Sequence, residues 1–383
     1  MFSAALLGIG AGCKPKTPAS DEILLGEYGS LTGSEAVFGQ STHNGIGMAI
    51  EEINASGGVK GKPLRLVNYD DRGLTSEVGT AVTRLVNSDN VLAVIGEVAS
   101  SLSIAGGQIC QQSGVPMVSP SSTNPKVTET GDYVFRICYI DPFQGYVMAR
   151  FVTNPKGGPG DGKGLGMKRV AILIDQRQAY AQGLAKDFET ALRELGGTVS
   201  AKASYQGGDQ DFTAQLTQLK NSNPEAIYIP GYYTDVANIA RQVRALGIPP
   251  EVVLLGGDGW ESVQEIGGPA IDGAYYSNHF APEDTRPEVQ SFVAKYKSKF
   301  GKTPDSMSAL GYDATMLIKN AIERSAVVDR KSVRDAIAST KDLQGITGKI
   351  TIDEQRNARK PAVILQIHAA EKSARFVTSI APR

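Results

Sequence analysis

The chain has 383 residues, of which 41% are hydrophobic and 21% are charged, and its net charge is −1. This length favours two domains over one, and the near-neutral charge, without a basic run interleaved with aromatic residues, gives no indication of nucleic-acid binding. The three histidines and three cysteines are scattered without metal-ligand spacing, so the sequence indicates no metal site.

The first twenty residues form a segment of their own. Residues 1–12 are small and apolar, and they are followed by Cys13 and a tether rich in Lys, Pro and Thr. The apolar run is shorter than the about 20 residues that a membrane span requires, and it is typical of the end of a secretory signal. Because Gly-Cys followed by such a tether resembles a bacterial lipoprotein signal, we expect export and lipidation of Cys13. The alternative is a cytosolic tail with an incidental cysteine.

Strands and helices alternate with short connections from residue 21 onwards. The first part predicts strands at residues 23–30, 64–69, 91–95, 116–120 and 133–139, and helices at residues 39–54, 75–87, 103–112 and 143–153. The rhythm restarts with strands at residues 169–175, 198–205, 226–230 and 252–255, and helices at residues 181–195, 212–221 and 235–245. The end predicts helices at residues 287–300, 306–325 and 331–340, then strands at residues 349–353, 362–368 and 375–379. Such alternation implies right-handed βαβ units, so we predict an α/β chain of two doubly wound, Rossmann-like parallel-sheet lobes.

The sequence contains no motif for nucleotide binding or catalysis in the order of strand, loop and helix that such a motif requires. The glycines of residues 162–166 precede a strand instead of joining a strand to a helix, and the chain contains no Walker A sequence and no Gly-x-Ser-x-Gly elbow. Nothing in the sequence places a histidine base beside Ser100 or Ser121. We therefore expect a binding protein that uses no cofactor and is not an enzyme.

Polar and aromatic residues gather where predicted strands give way to helices. They are Ser100, Ser121, Ser122, Thr123, Tyr180, Tyr232 and Asp258. Ligands of open parallel sheets bind outside the carboxyl ends of strands, where helix N-termini favour an anion. Each hydroxyl alone could be an ordinary N-cap, but several at neighbouring strand ends favour a site. A carboxylate for an ammonium group, with hydroxyls for a carboxylate, suits a free amino acid.

Several longer motifs carry a family resemblance. They are Gly29-Ser30-Leu31-Thr32-Gly33, Asn54-Ala55-Ser56-Gly57-Gly58-Val59-Lys60-Gly61, Tyr69-Asp70-Asp71, Ser119-Pro120-Ser121-Ser122-Thr123 and Gly231-Tyr232-Tyr233. In this order and spacing, the chain resembles the periplasmic leucine/isoleucine/valine-binding proteins. These are the substrate-capturing components of ABC importers, with the type I periplasmic-binding-protein fold. The resemblance runs from about residue 24 to the C-terminus.

The resemblance implies how the polar residues would hold an amino acid. Ser100 and Thr123 would bind the α-carboxylate, and the backbone around Ser121 would receive the α-ammonium group. Asp258 stands where the family commonly has Glu, so it would be the charged partner of the ammonium group. Ser122 belongs to the same hydroxyl cluster and is included in the expected site.

The resemblance also implies the apolar part of the site. Tyr180 and Tyr232 would close over the ligand from the second lobe, and Phe38 would line the side-chain pocket, where a Trp can stand. Glu97 departs from the family pattern, and it would either contact a polar ligand tail or point to solvent.

The expected domain boundaries follow from the same resemblance. Residues 1–20 would be a signal remnant and tether, residues 21–140 and 277–343 the first lobe, and residues 141–276 and 344–383 the second. Three crossing strands would form a hinge. Cys110 and Cys138 would either pair or remain two buried free thiols.

The implied function is capture of a free amino acid, of the branched-chain or aliphatic type, and its delivery to the membrane permease of an ABC importer. We expect a monomer in the periplasm or at the outer face of the bacterial cytoplasmic membrane, anchored there through a lipid on Cys13. The alternative is a sensor or receptor domain of the same fold for an amide or another small metabolite.

Overall fold

The computed structural model describes residues 22–156 and 162–382, so Cys13 and the expected tether lie outside the described residues. The strands are β1 Ile23–Gly29, β2 Leu64–Asp70, β3 Ala93–Ile95, β4 Met117–Ser119, β5 Val134–Arg136, β6 Arg169–Asp175, β7 Thr198–Tyr205, β8 Ala226–Tyr228, β9 Val253–Gly256, β10 Tyr275–Asn278, β11 Leu343–Gly345, β12 Gly348–Ile350, β13 Ala362–His368 and β14 Ser373–Ile380. The helices are α1 Ala36–Ala55, α2 Thr75–Thr83, α3 Ser100–Gln112, α4 Lys126–Glu129, α5 Asp141–Thr153, α6 Ala179–Glu194, α7 Thr213–Asn221, α8 Tyr233–Ala245, α9 Val263–Ile266, α10 Pro287–Phe300, α11 Ser306–Arg324 and α12 Arg330–Ala338.

Two sheets organise these elements. The first has the order β2-β1-β3-β4-β5 with every pair parallel. The second repeats that order in parallel strands β7-β6-β8-β9-β10 and adds β13 and β14 antiparallel at its edge. The prediction of two doubly wound lobes is therefore confirmed. In each sheet the order in which successive strands are added reverses next to the first strand, which is β1 in one sheet and β6 in the other. At such a reversal the carboxyl ends of the adjacent strands border a crevice in which a ligand can bind.

Apolar burial explains why the chain forms these layers. The central strands β1 and β6 are buried along most of their length, as parallel strands covered on both faces must be. Helix α1 lies against α11, which returns to the first lobe from far along the chain, and two glycines allow the close approach. A Cβ on Gly45 would lie 1.9 Å from the backbone oxygen of Ser308, and one on Gly311 would lie 2.5 Å from that of Thr42. This packing brings the beginning of α11 to the crevice.

The lobe boundaries differ from those expected. Ser277 and Asn278 belong to β10 of the second sheet. Ile350 and Ala358 pack in the core of the first lobe, which places the hairpin of β11 and β12 there as well. A buried carboxylate holds this hairpin, because Asp313 of α11 accepts hydrogen bonds from the backbone of residue 346 at 2.7 Å and of residue 347 at 2.8 Å. The first lobe therefore extends past residue 343 to about residue 358.

Three connections cross between the lobes, at about residues 137–140, 279–286 and 359–361, and none of them is a regular strand.

Cys110 and Cys138 are both buried and free, and burial raises the pKa of each thiol to about 12. Among the residues that the structure describes, no helix is both long enough and apolar enough for a membrane crossing.

Candidate functional site

The carboxyl ends of the two sheets face each other across a small closed cavity. Its lining comes from both lobes and consists of Phe38, Val98, Ser100, Ser121, Tyr180, Tyr232, Asp258, Gly259 and Met307. The volume within it that a water-sized molecule can occupy is only about 10 Å³. A cavity of this size holds about one water molecule, so a larger ligand would require the lobes to lie further apart than they do here.

Hydroxyl groups and a helix N-terminus form one end of the cavity. Ala99 is the N-cap of α3 and Ser100 its first residue, and Ser100 Oγ accepts a hydrogen bond from the backbone N–H of Asn124 at 3.3 Å. Within the described residues, Ser121 Oγ is buried without a hydrogen-bond partner. Thr123, also predicted for the site, is buried beside the Asp141 carboxyl group and does not line the cavity. No side-chain hydrogen bond caps α3, so the alternative that these hydroxyls are ordinary caps has no support there. Hydroxyl groups beside a helix N-terminus have the chemistry to bind a carboxylate.

Aromatic rings form a wall of the cavity and join the two lobes. Tyr180 and Tyr232 are stacked with ring centroids 5.3 Å apart and planes 5° from parallel. Phe38 of the first lobe meets Tyr232 edge-on at 5.9 Å and Tyr233 at 4.9 Å. Burial raises the pKa of the Tyr180 and Tyr232 hydroxyls well above the usual value, so both rings are neutral.

Asp258 supplies a carboxylate to the cavity from the second lobe. It begins a short 3-10 turn after β9 and is buried. Its Oδ1 accepts a hydrogen bond from Gln144 Nε2 at 2.8 Å, and its Oδ2 lies 3.0 Å from His279 Nε2. The neighbouring glycine is required by close packing, since a Cβ on Gly257 would lie 2.4 Å from the Tyr180 hydroxyl oxygen. A carboxylate has about four acceptor positions, so Asp258 can still accept a bond from an ammonium group.

Two further predicted site residues, Glu97 and Ser122, lie behind the cavity wall. The buried Glu97 carboxylate accepts hydrogen bonds from the backbone N–H of Ser30 at 3.0 Å and from that of Ala99. Ser122 Oγ donates to a backbone oxygen, that of Glu97 at 3.0 Å or that of Val98 at 2.9 Å. Glu97 therefore does not point to solvent, and neither residue lines the cavity. Both hold the loop that carries Ser100, because backbone donors and acceptors in a buried turn must be satisfied.

Other lining and supporting residues were not expected from the sequence. Met307 reaches the cavity from the beginning of α11, and Val98 from the loop after β3. Gln144 and His279 contact Asp258 from the crossing connections and the helix that follows one of them. An apolar residue in a helical pattern and a lone histidine after a strand give no signal that distinguishes them from core residues.

Hydrogen bonds between the lobes close the rim of the cavity. The backbone N–H of Ala179 donates to Ser101 Oγ at 3.0 Å, and Asn124 Nδ2 donates to the backbone oxygen of Ala179 at 2.7 Å. On the other side, Thr234 Oγ1 donates to the backbone oxygen of Ser34 at 2.8 Å. The structure is thus a closed arrangement of the two lobes around the cavity.

Known proteins share this architecture over nearly the whole chain. A family model described as periplasmic binding protein matches residues 22–372. The Leu/Ile/Val-binding protein homolog 3 of Brucella melitensis is 30% identical, with 89% of this chain and 90% of that protein covered. The structure of the leucine-binding protein LivK of Thermotoga maritima has a TM-score of 0.87 at 39% identity, with 94% of this chain and 99% of that chain covered. LivJ of Streptococcus pneumoniae, solved in complex with isoleucine, has a TM-score of 0.83 at 30% identity, with coverage of 93% and 99%.

Proposed function

Because this chain belongs to the periplasmic binding protein family, we propose that it captures a free aliphatic amino acid between its lobes and delivers it to the permease of an ABC importer. Membership confirms the predicted type I fold and the resemblance to leucine/isoleucine/valine-binding proteins. It also confirms that the chain is a substrate-binding protein and not an enzyme.

The choice of ligand rests on the chemical groups that line one cavity between the two lobes. The hydroxyls of Ser100 and Ser121, beside the N-terminus of α3, and the carboxylate of Asp258 belong to the same lining. This pairing fits a molecule that carries a carboxylate and an ammonium group on neighbouring atoms.

The remaining lining favours an aliphatic side chain. Phe38, Val98 and Met307 offer no charge, and the Glu97 carboxylate is turned away from the cavity. Burying one such side chain contributes about 1.5–3 kcal/mol. The relative named for leucine, isoleucine and valine binding and the similar structure solved with isoleucine support the same class of ligand.

The closed arrangement supports the proposal that the protein delivers its ligand to a permease. Contacts between Phe38 and Tyr232, and between Asn124 and Ala179, exist only while the lobes are together. A ligand that touches both lobes therefore shifts the protein toward the closed form by its differential affinity, and the permease would bind that form. We place the protein as a monomer outside the cytoplasmic membrane, held there through Cys13.

The first experiment is to identify the small molecule that copurifies with the protein. Denaturing the purified protein and analysing the released compounds by mass spectrometry should yield leucine, isoleucine or valine. Calorimetric titration of ligand-free protein with each of them should then show binding, while benzoate, which lacks the ammonium group, serves as the control. Recovery of an amide or another metabolite, together with no binding of any amino acid, would refute the proposal and favour a sensor domain.

A further inference from the structure

The carboxylate of Asp258 is held by residues that belong to the crossing connections. Gln144 lies in the first turn of α5, directly after the first connection, and its Nε2 donates to Oδ1 at 2.8 Å. His279 is the first residue of the second connection, and its Nε2 lies 3.0 Å from Oδ2. Both oxygens therefore have a fixed partner on the side away from the cavity.

The surroundings of His279 determine its protonation state. Its side chain is fully buried and stacks on the ring of Tyr139, in the first connection, with centroids 3.8 Å apart and an angle of 28°. Burial lowers the pKa of His279, the hydrogen bond and the charge of Asp258 oppose this shift, and the positive charge of Lys360 adds to it. The imidazole is thus neutral at pH 7. Because Asp258 is an acceptor, the proton of the ring lies on Nε2.

A neutral donor at this position has a consequence for the ligand. A protonated imidazole would neutralise the Asp258 carboxylate and repel an incoming ammonium group. The neutral ring fixes the carboxylate and leaves its negative charge for the ligand.

We infer that His279 is a positioning residue for ammonium recognition, which aims the Asp258 carboxylate into the cavity and ties it to two of the crossing connections. This inference rests on the proposed function. His279 does not line the amino-acid cavity, so its effect on the ligand must pass through Asp258.

Substitutions that separate ring shape from hydrogen bonding test the inference. His279→Phe keeps an aromatic ring to stack on Tyr139 but removes the donor, so leucine affinity should fall about tenfold. His279→Gln places an amide donor near the former Nε2 and should recover most of that loss. The affinity for 4-methylpentanoate, which is leucine without its ammonium group, should be the same in the wild type and in both variants.

A measurement without ligand adds an independent result. In ¹⁵N NMR of the wild-type protein at pH 7, His279, assigned by its absence from the His279→Phe spectrum, should be neutral and protonated at Nε2. A charged imidazole, or a proton on Nδ1, would overturn the inference whatever the ligand is.

The outcomes distinguish the two proposals. Equal losses for leucine and 4-methylpentanoate, or no recovery with Gln, would show a merely structural role for His279 and would leave the proposed function standing. A wild-type protein that binds no amino acid would refute the proposed function and this inference with it. If His279→Phe does not fold, the ¹⁵N NMR measurement, with His279 assigned by its absence from the His279→Gln spectrum, still decides the inference.

Discussion

Replacing Asp258 by Asn tests the charged end of the cavity with little change in volume. An ammonium group in contact with this carboxylate at about 3 Å, in a medium with an effective dielectric constant of about 20, gains roughly 5 kcal/mol of Coulomb energy. Desolvation of both charges offsets part of that gain. We expect a net loss of about 2–4 kcal/mol, which is a roughly 30-fold to 700-fold weaker affinity for leucine.

Calorimetric titration at pH 7 measures this loss, with thermal unfolding as the check that the variant is folded. Asp187→Asn is the matched control, because Asp187 is a half-buried acid of α6 that does not line the cavity. The control should bind leucine as the wild type does. An Asp258→Asn affinity within threefold of the wild type would refute the assignment of Asp258 as the partner of the ammonium group.

Four further predictions concern the hydroxyls, closure, the rim and a buried acid. Changing Ser100 and Thr123 together to Ala should weaken all amino acids by a similar factor of at least about 10, and a changed order of preference in titrations would contradict carboxylate binding. Saturating ligand should lower the radius of gyration in small-angle scattering by about an ångström, and no change from an apo form shown to be open would exclude capture by closure. Asn124→Ala removes the bond to Ala179 that only the closed form makes, so titration should show about fivefold weaker binding; wild-type affinity would exclude this bond as a contribution to closure. Burial raises the pKa of Asp71 from 3.8 to about 6. The folded state therefore retains a proton that the unfolded state has lost between these values, and stability falls as the pH rises through this window. Asp71→Asn should reduce the difference in melting temperature between pH 5 and pH 7, and an unchanged difference would count against this account.

The fold was predictable because burial imposes a simple pattern on parallel strands. The runs at β6, β7 and β13 were located to the residue, since each is an apolar or alternating stretch with clear ends. The short strand β11 was missed, and its three residues carry no periodicity of their own. The boundary near residue 343 was misplaced because apolar packing and Asp313 of a distant helix hold the hairpin to the first lobe, and no local pattern reveals these contacts.

The sequence predicts only those site residues that directly follow a strand. Ser100 and Tyr232 follow strands beside the two points of reversal, so the topology brings them together across the crevice. Glu97 occupies the same loop but faces inward, and the sequence does not determine on which side of a loop a side chain lies. His279 lies in the second passage of the chain between the lobes and Met307 follows that passage, and only the packed structure shows that both are near the site.

The late return of α11 and of the hairpin to the first lobe has a consequence for how the chain acquires its structure. The core around β1 and α1 includes residues of α11 and extends to Ala358, which are synthesised after nearly the whole second lobe. The contact order of the first lobe is therefore high, and its assembly is expected to be slow relative to that of the consecutive strands β6 to β10. Until α11 arrives, the apolar faces of β1 and α1 that it covers remain exposed, so a nascent chain is expected to remain unfolded in its first lobe and to be a substrate for chaperones during synthesis.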